Sequence, residues 1–105
     1  MGLFKKKLFD VDIAVNGYAN GCGRLGERGR FIYKEMFKGF LDGYEGCFTP
    51  VLLEINNKDG FTLNEWGIIK AIRRTLNKKS MLESKETFNA KLKLYLQKIE
   101  ELDRE

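Results

Sequence analysis

The sequence predicts a small α+β domain with two or three strands and three helices, and three observations lead to this prediction. Residues 8–15 alternate between apolar and polar side chains, which is typical of a strand with one buried face. Residues 28–42 repeat their apolar side chains with the period of a helix. Two later S/T-x-x-E sequences are typical of helix starts. With 105 residues, the chain is expected to form a single domain over 1–105.

The N-terminal part, 8–30, is predicted to be a strand followed by a Gly/Arg-rich loop. In the strand, Phe9, Val11, Ile13 and Val15 would share the buried face. The glycines of segment 17–29 predict an irregular loop, because glycine weakens regular structure. The helix predicted over 28–42 would bury one apolar face, formed by Ile32, Tyr33, Met36, Phe37, Phe40 and Leu41, and Gly43 suits its C-terminal cap.

A second strand is predicted over 48–55, with Val51, Leu53 and Ile55 buried and Pro50 at an edge. Residues 56–60 form a turn cluster. The predicted helical part then covers 61–103. Helix 28–42, strand 51–55 and the two following helices match the first elements of a winged helix-turn-helix, in which the N-terminal strand and glycine loop would supply the wing.

The helical part contains two predicted capping boxes. In the first, Thr62 and Glu65 would cap a helix that runs to about Lys78, with Phe61 and Trp66 as a hydrophobic staple. In the second, Ser80 and Glu83 would begin the last helix after a tight turn.

The last helix has an apolar seam with heptad spacing, which starts at Met81 and is interrupted at Lys85. Such a seam forms part of the core of its own domain or pairs with a second copy in a homodimer, and the sequence leaves both alternatives open. The seam residues are Phe88, Leu92, Tyr95, Ile99 and Leu102.

The glycine loop contains G-x-G-x-x-G at Gly21, Gly23 and Gly26, between a predicted strand and a predicted helix. That context is the one in which glycines bring a backbone close to a pyrophosphate. The segment resembles the opening of glyceraldehyde-3-phosphate dehydrogenases, in which a similar stretch binds NAD. Residues 16–18 and 23–26 match the two halves of that stretch, and 19–22 are inserted between them. The resemblance implies a nucleotide-binding fragment.

Basic residues offer a different interpretation of the same loop. On a flexible glycine backbone, arginines can reach phosphates or a narrow groove of a duplex. On the helix 62–78, further cations and one Asn share a face, and such groups contact phosphates and base edges. A plain turn and a solvated helix face are the alternatives. The candidate nucleic-acid-binding residues are Arg24, Arg28, Arg30, Lys70, Arg73, Arg74, Asn77 and Lys78.

These observations favour a non-catalytic accessory or regulatory protein of a plasmid, phage or transcription system that binds double-stranded DNA. Two cysteines and no histidine argue against a zinc site, and no cofactor or membrane contact is expected. Without an export signal, the chain is interpreted as cytoplasmic, with Cys22 and Cys47 as reduced thiols. The alternative is a protein-interaction module or small inhibitor that uses helix 31–41 or the seam.

Overall fold

A single glycine reverses the direction of the first helix. The computed structural model describes residues 7–44, 48–56 and 60–104, and it begins with helix α1, Val11–Leu41. Within α1 only Gly26 departs from helical geometry, with φ 69° and ψ 178°. We name the two helical segments on either side the first arm (11–25) and the second arm (27–41).

The two arms lie against each other. The ring centroids of Tyr18 and Tyr33 are 5.5 Å apart, whereas 15 residues of a straight helix would separate them by about 22 Å. At the far end of the first arm, Phe9 contacts Tyr95, which in turn contacts Phe37 of the second arm. The first arm therefore folds back along the second as a helical hairpin.

Three further helices complete the described chain: α2 over Thr49–Ile55, α3 over Leu63–Ser80 and α4 over Lys85–Arg104. The arms of α1 are central to the fold, since α2, α3 and α4 all contact them and α4 also touches α3. The predicted α+β class is therefore wrong, because the described residues are helical and contain no strand. The winged-helix interpretation is wrong for the same reason, as no strand is present there to form a wing.

Residues 8–15 form no strand because their apolar side chains also satisfy a helical period. Asp10 caps the helix by accepting a hydrogen bond from the backbone N–H of Ile13 at 3.0 Å. Val11, Val15 and Tyr18, spaced by four and three residues, then face the core. Ile13, which a strand would have buried, is 71% exposed. The predicted loop over 17–29 is also helical, apart from Gly26.

The second predicted strand is the short helix α2. Pro50 lies in its first turn, where a missing N–H costs nothing. Val51 and Ile55 are buried at a spacing of four residues, whereas Leu53 is 72% exposed. Residues 57–59 of the turn predicted over 56–60 lie outside the described residues, as do Cys47 and the side chain of Cys22.

The predictions for the later helices are largely confirmed. Thr62 and Glu65 form the capping box with distances of 3.1 and 3.0 Å, and Phe61 contacts Trp66 edge to face. The second predicted box is wrong, because α3 continues through Ser80 and the hydroxyl of Ser84 accepts the N–H of Thr87 at the start of α4. Gly43, with φ 99°, follows the C-cap of α1 as predicted.

Aromatic side chains fill much of the core between the two arms and α4. In its centre the hydroxyls of Tyr33 and Tyr95 hydrogen-bond to each other. Burial raises the pKa of both phenols, and for Tyr95 the neighbouring Tyr33 raises it further. The fold therefore keeps both groups protonated. The rings involved are those of Phe9, Tyr18, Tyr33, Phe37, Phe40, Phe48, Phe88 and Tyr95.

This buried pair predicts a loss of stability at alkaline pH. Because the pKa of each phenol is higher in the folded chain than its ordinary value of 10.0, the pair stabilises the fold fully below that pH. The contribution falls as the pH rises above it. Urea unfolding at increasing pH should show a smaller decline for the double variant Tyr33→Phe/Tyr95→Phe than for the wild type. An equal decline in both proteins would contradict this role of the pair.

Candidate nucleic-acid interface

Helix α3 buries one side and exposes a line of cations on another. Glu65, Ile69, Ile72 and Leu76 are buried against the rest of the chain. A second line, spaced by four residues, lies on the exposed surface, with about 6 Å between successive positions. It contains Lys70, Arg74 and Lys78, which we name the cationic face.

No carboxylate neutralises the cationic face within the described part of the chain. Glu65 is the single acidic residue of α3, and it is occupied at the helix start. Among residues 7–44, 48–56 and 60–104, the three cations form no ion pair. Lys79, next to them in sequence, instead donates a hydrogen bond to the backbone oxygen of Lys7 at 2.7 Å. The cationic face is therefore a positively charged surface that water alone screens within the described structure.

Two other predicted residues of α3 lie at its border with the core. The guanidinium of Arg73 lies 5.8 Å from the ring centroid of Phe48, and its Nε is buried without a hydrogen-bond partner in the described residues. Asn77 is half-buried. The sequence placed both on one face with Lys70, Arg74 and Lys78, but the side chain of Arg73 turns toward an aromatic ring. A cation over a ring face is stabilised electrostatically.

The arginines of the predicted loop have three different environments. Arg28 pairs with Glu65 at 2.7 Å, donates to the backbone oxygen of Gly60 and lies 5.7 Å from the Phe61 ring centroid. Arg30 is half-buried and lines a groove with Asp103. Arg24 is exposed. Arg28 therefore fixes the start of α3 to the second arm of α1.

The loop arginines and the cationic face are not continuous. Arg24 lines a cleft of about 530 Å³ at the Gly26 bend, which also contains Asn64 and Ile68 of α3. Along the axis of α3, Asn64 lies about 9 Å from Lys70, about 15 Å from Arg74 and about 21 Å from Lys78. The sequence left open whether the loop and the helix form one surface, and distance along α3 separates the cleft from the cationic face.

The other basic row of the chain is neutralised by α4. Lys34 pairs with Asp103 and lies 3.7 Å from Glu100, while Lys38 lies 3.4 Å from Glu35. Burial raises the pKa of Asp103, but hydrogen bonds from Lys34 and Tyr18, with the nearby positive charges, outweigh this and lower the pKa below its ordinary value. Asp103 therefore links α4 to α1 through an ion pair with Lys34. Because Lys34 and Lys38 both have carboxylate partners, these two lysines are not expected to bind a polyanion.

The seam of α4 is part of the core of the single chain. Phe88, Leu92, Tyr95 and Ile99 are fully buried, and Leu102 is half-buried against them. Met81, at the predicted start of the seam, is 83% exposed because it lies in the turn before α4. The four buried side chains have no surface left for a second copy.

The part of the chain that the structure describes does not provide the strand that a dinucleotide-binding turn at Gly21, Gly23 and Gly26 would require. A pyrophosphate-binding turn needs a strand before the glycines, but residues 8–15 contain the start of a helix, and Gly21 and Gly23 lie within the first arm. Comparisons of the chain with protein-family models, with curated proteins and with solved structures give no match.

The described residues lack the features of two other kinds of site. They include no group of three or more Cys, His, Asp or Glu residues placed to hold a metal ion. None of their helices combines the length and apolar character that crossing a membrane requires.

Trp66 borders the basic residues of α3 in the sequence pattern, but it was not among the predicted nucleic-acid-binding residues. Trp66 was assigned to the hydrophobic staple, and it does contact Phe61, yet 39% of it stays exposed. It lies four residues before Lys70 and therefore at the end of the cationic face. That i, i+4 spacing from Lys70 was the signal in the sequence that could have identified it.

Proposed function

We propose that the protein binds DNA without catalysing a reaction, and that the cationic face of α3 contacts the phosphates of a duplex. The proposal includes a cytoplasmic location and a regulatory or accessory role. The observation that supports it best is the line of Lys70, Arg74 and Lys78, exposed and without a carboxylate partner in the described structure.

The contacts would be electrostatic and independent of base sequence. Each phosphate that a cation neutralises releases counterions, so affinity falls as salt rises. Three cations correspond to a slope of about −2.7 in log K against log salt, at about −0.9 per phosphate. Binding of this size is weak, in the range of about 10⁻⁴ to 10⁻⁶ M at physiological salt.

This mechanism differs from the one that the sequence suggested. In this proposal the loop arginines take no part, because Arg28 is held by Glu65. Arg30 lines a groove with Asp103, and Arg24 lines the cleft at the Gly26 bend, near the start of α3. A protein-interaction module is the second candidate, and the exposed side chains of Leu63 and Trp66 favour it. An acidic protein partner would match the same charges.

Fluorescence anisotropy of a labelled random duplex over a series of salt concentrations tests the proposal. We expect Arg74→Gln to reduce the salt slope by about 0.9, and the triple variant Lys70→Gln/Arg74→Gln/Lys78→Gln to bring it close to zero. The reason is that each variant removes phosphate contacts rather than base contacts.

Two matched variants control for net charge. Lys93→Gln removes an exposed cation from α4, and Arg24→Gln removes the exposed cation of the cleft. Both should leave the slope within error of the wild type. If either lowers the slope as much as Arg74→Gln does, or if the wild type fails to bind duplex at low salt, the proposed function is wrong.

A further inference from the structure

Trp66 lies on the same exposed side of α3 as the cationic face. By helix geometry it is about 6 Å along the axis from Lys70 and about 12 Å from Arg74. Leu63, one turn before it, is also exposed. The outer surface of α3 thus has an apolar end and a cationic end.

The indole is held by its neighbours. Its ring centroid lies 5.0 Å from that of Phe61, with the two planes at 76°. Phe61 in turn lies beside the guanidinium of Arg28, which is bound to Glu65 and to the backbone of Gly60. A ring fixed in this way loses little conformational entropy when a ligand covers it.

We infer that Trp66 stacks on an unpaired base whose flanking phosphates bind the cationic face, so that the protein prefers DNA with a single-stranded segment to a fully paired duplex. This inference rests on the proposed function. Bases inside a duplex are already stacked on each other, whereas an unpaired base offers its π-face to an aromatic side chain. An apolar ring followed by a line of cations matches a nucleotide, which joins an apolar base to anionic phosphates.

The charge pattern favours a nucleic acid over a protein segment as the occupant. A protein ligand for Trp66 and Leu63 would need an apolar side chain followed by acidic ones at a matching spacing. Any strand of DNA has the required alternation of base and phosphate throughout its length. Glu65 is the single carboxylate of α3, and it is held by the backbone N–H of Thr62 and by Arg28, so α3 itself adds little repulsion against phosphates.

The test compares a blunt duplex with the same duplex that carries a single-stranded thymidine overhang. Trp66 is the only tryptophan of the 105 residues, so its fluorescence reports directly on this position. We expect the overhang to increase the affinity at least about fivefold, the lower end of what one stacked base contributes. The overhang should also quench the Trp66 fluorescence of the wild type, whereas the blunt duplex should quench it only weakly.

Variants at Trp66 separate stacking from charge. Trp66→Leu should remove the preference for the overhang and leave both the affinity for the blunt duplex and the salt slope unchanged. Trp66→Phe, which retains a ring, should keep part of the preference. A preference that persists in Trp66→Leu would overturn the inference.

The two proposals fail in different ways. Equal affinity for both DNAs without quenching, together with salt-dependent binding, would overturn the stacking site and leave the proposed function intact. No binding of either DNA at low salt would overturn the proposed function and the stacking site with it.

Discussion

Replacing Gly26 by alanine should lower the free energy of unfolding by at least about 2 kcal/mol. At φ 69° and ψ 178°, this residue has a backbone conformation that is essentially restricted to glycine. An added Cβ at Gly26 would meet no atom within 4 Å, so the cost is backbone strain rather than a clash. Relief of that strain requires the two arms to separate, which would break the contact of Tyr18 with Asp103 at 2.9 Å.

Gly23 provides a matched control three residues away. It lies inside the first arm with helical geometry, and an added Cβ would again have open space around it. Gly23→Ala should therefore stabilise the protein by up to about 1 kcal/mol, through higher helix propensity and a less flexible unfolded chain. Urea unfolding of the wild type and the two variants measures both effects. If the two alanines shift the midpoint in the same direction, the reversal at Gly26 is not as described.

Gly39→Ala should also destabilise the fold, by about 2 kcal/mol, because α1 and α2 touch at this glycine. A Cβ built there would lie 2.2 Å from Cγ2 of Val51, so α2 would have to move. Overpacking of this kind costs about 1–3 kcal/mol, and the gain in helix propensity offsets only part of it.

A double-mutant cycle with Val51→Ala isolates that contact. Removal of the valine methyl groups relieves the clash, so Gly39→Ala should cost less in the Val51→Ala background than in the wild type. The coupling free energy should be at least about 1 kcal/mol. Additive effects of the two substitutions would show that α2 does not pack on Gly39.

The sequence predicted the second half of the chain better than the first for a physical reason. From Phe61 onward, each helix has a regular apolar period that only Lys85 interrupts, and the reciprocal contacts of Thr62 and Glu65 fix one boundary locally. In residues 8–15 the alternation of apolar side chains favours a strand, whereas the helix uses Val11 and Val15 and leaves Ile13 exposed. The choice between the two depends on packing against Tyr95 and the second arm.

The loop predicted over 17–29 was wrong because the prediction rested on the number of glycines, whereas only Gly26 departs from helical geometry. Glycine is unfavourable in a helix by only about 1 kcal/mol relative to alanine, and burial of Tyr18 with packing of the half-buried Val11 and Val15 against the core overcomes that cost in the first arm. Which of several glycines breaks a helix follows from tertiary contacts rather than from composition. The local sequence pattern therefore could not predict the helical hairpin of α1.

The candidate site was predicted in part. The spacing of Lys70, Arg74 and Lys78 predicts a shared face, and helix geometry places them together on the exposed side of α3. The pairing of Arg28 with Glu65 depends on the fold of α1 against α3, which no local pattern contains. For the same reason, the sequence alone could not place Arg24 in the cleft beside the start of α3.

Mapping of amide chemical shifts during a titration with DNA tests most directly whether the cationic face of α3 is the binding surface. We expect the perturbed amides to cluster on the exposed side of α3, at Trp66, Lys70, Arg74 and Lys78. We also expect these amide shifts to return to their free positions as salt is raised. Perturbations centred on the cleft at Arg24 and Asn64, or none at low salt, would show that the cationic face is not the binding surface.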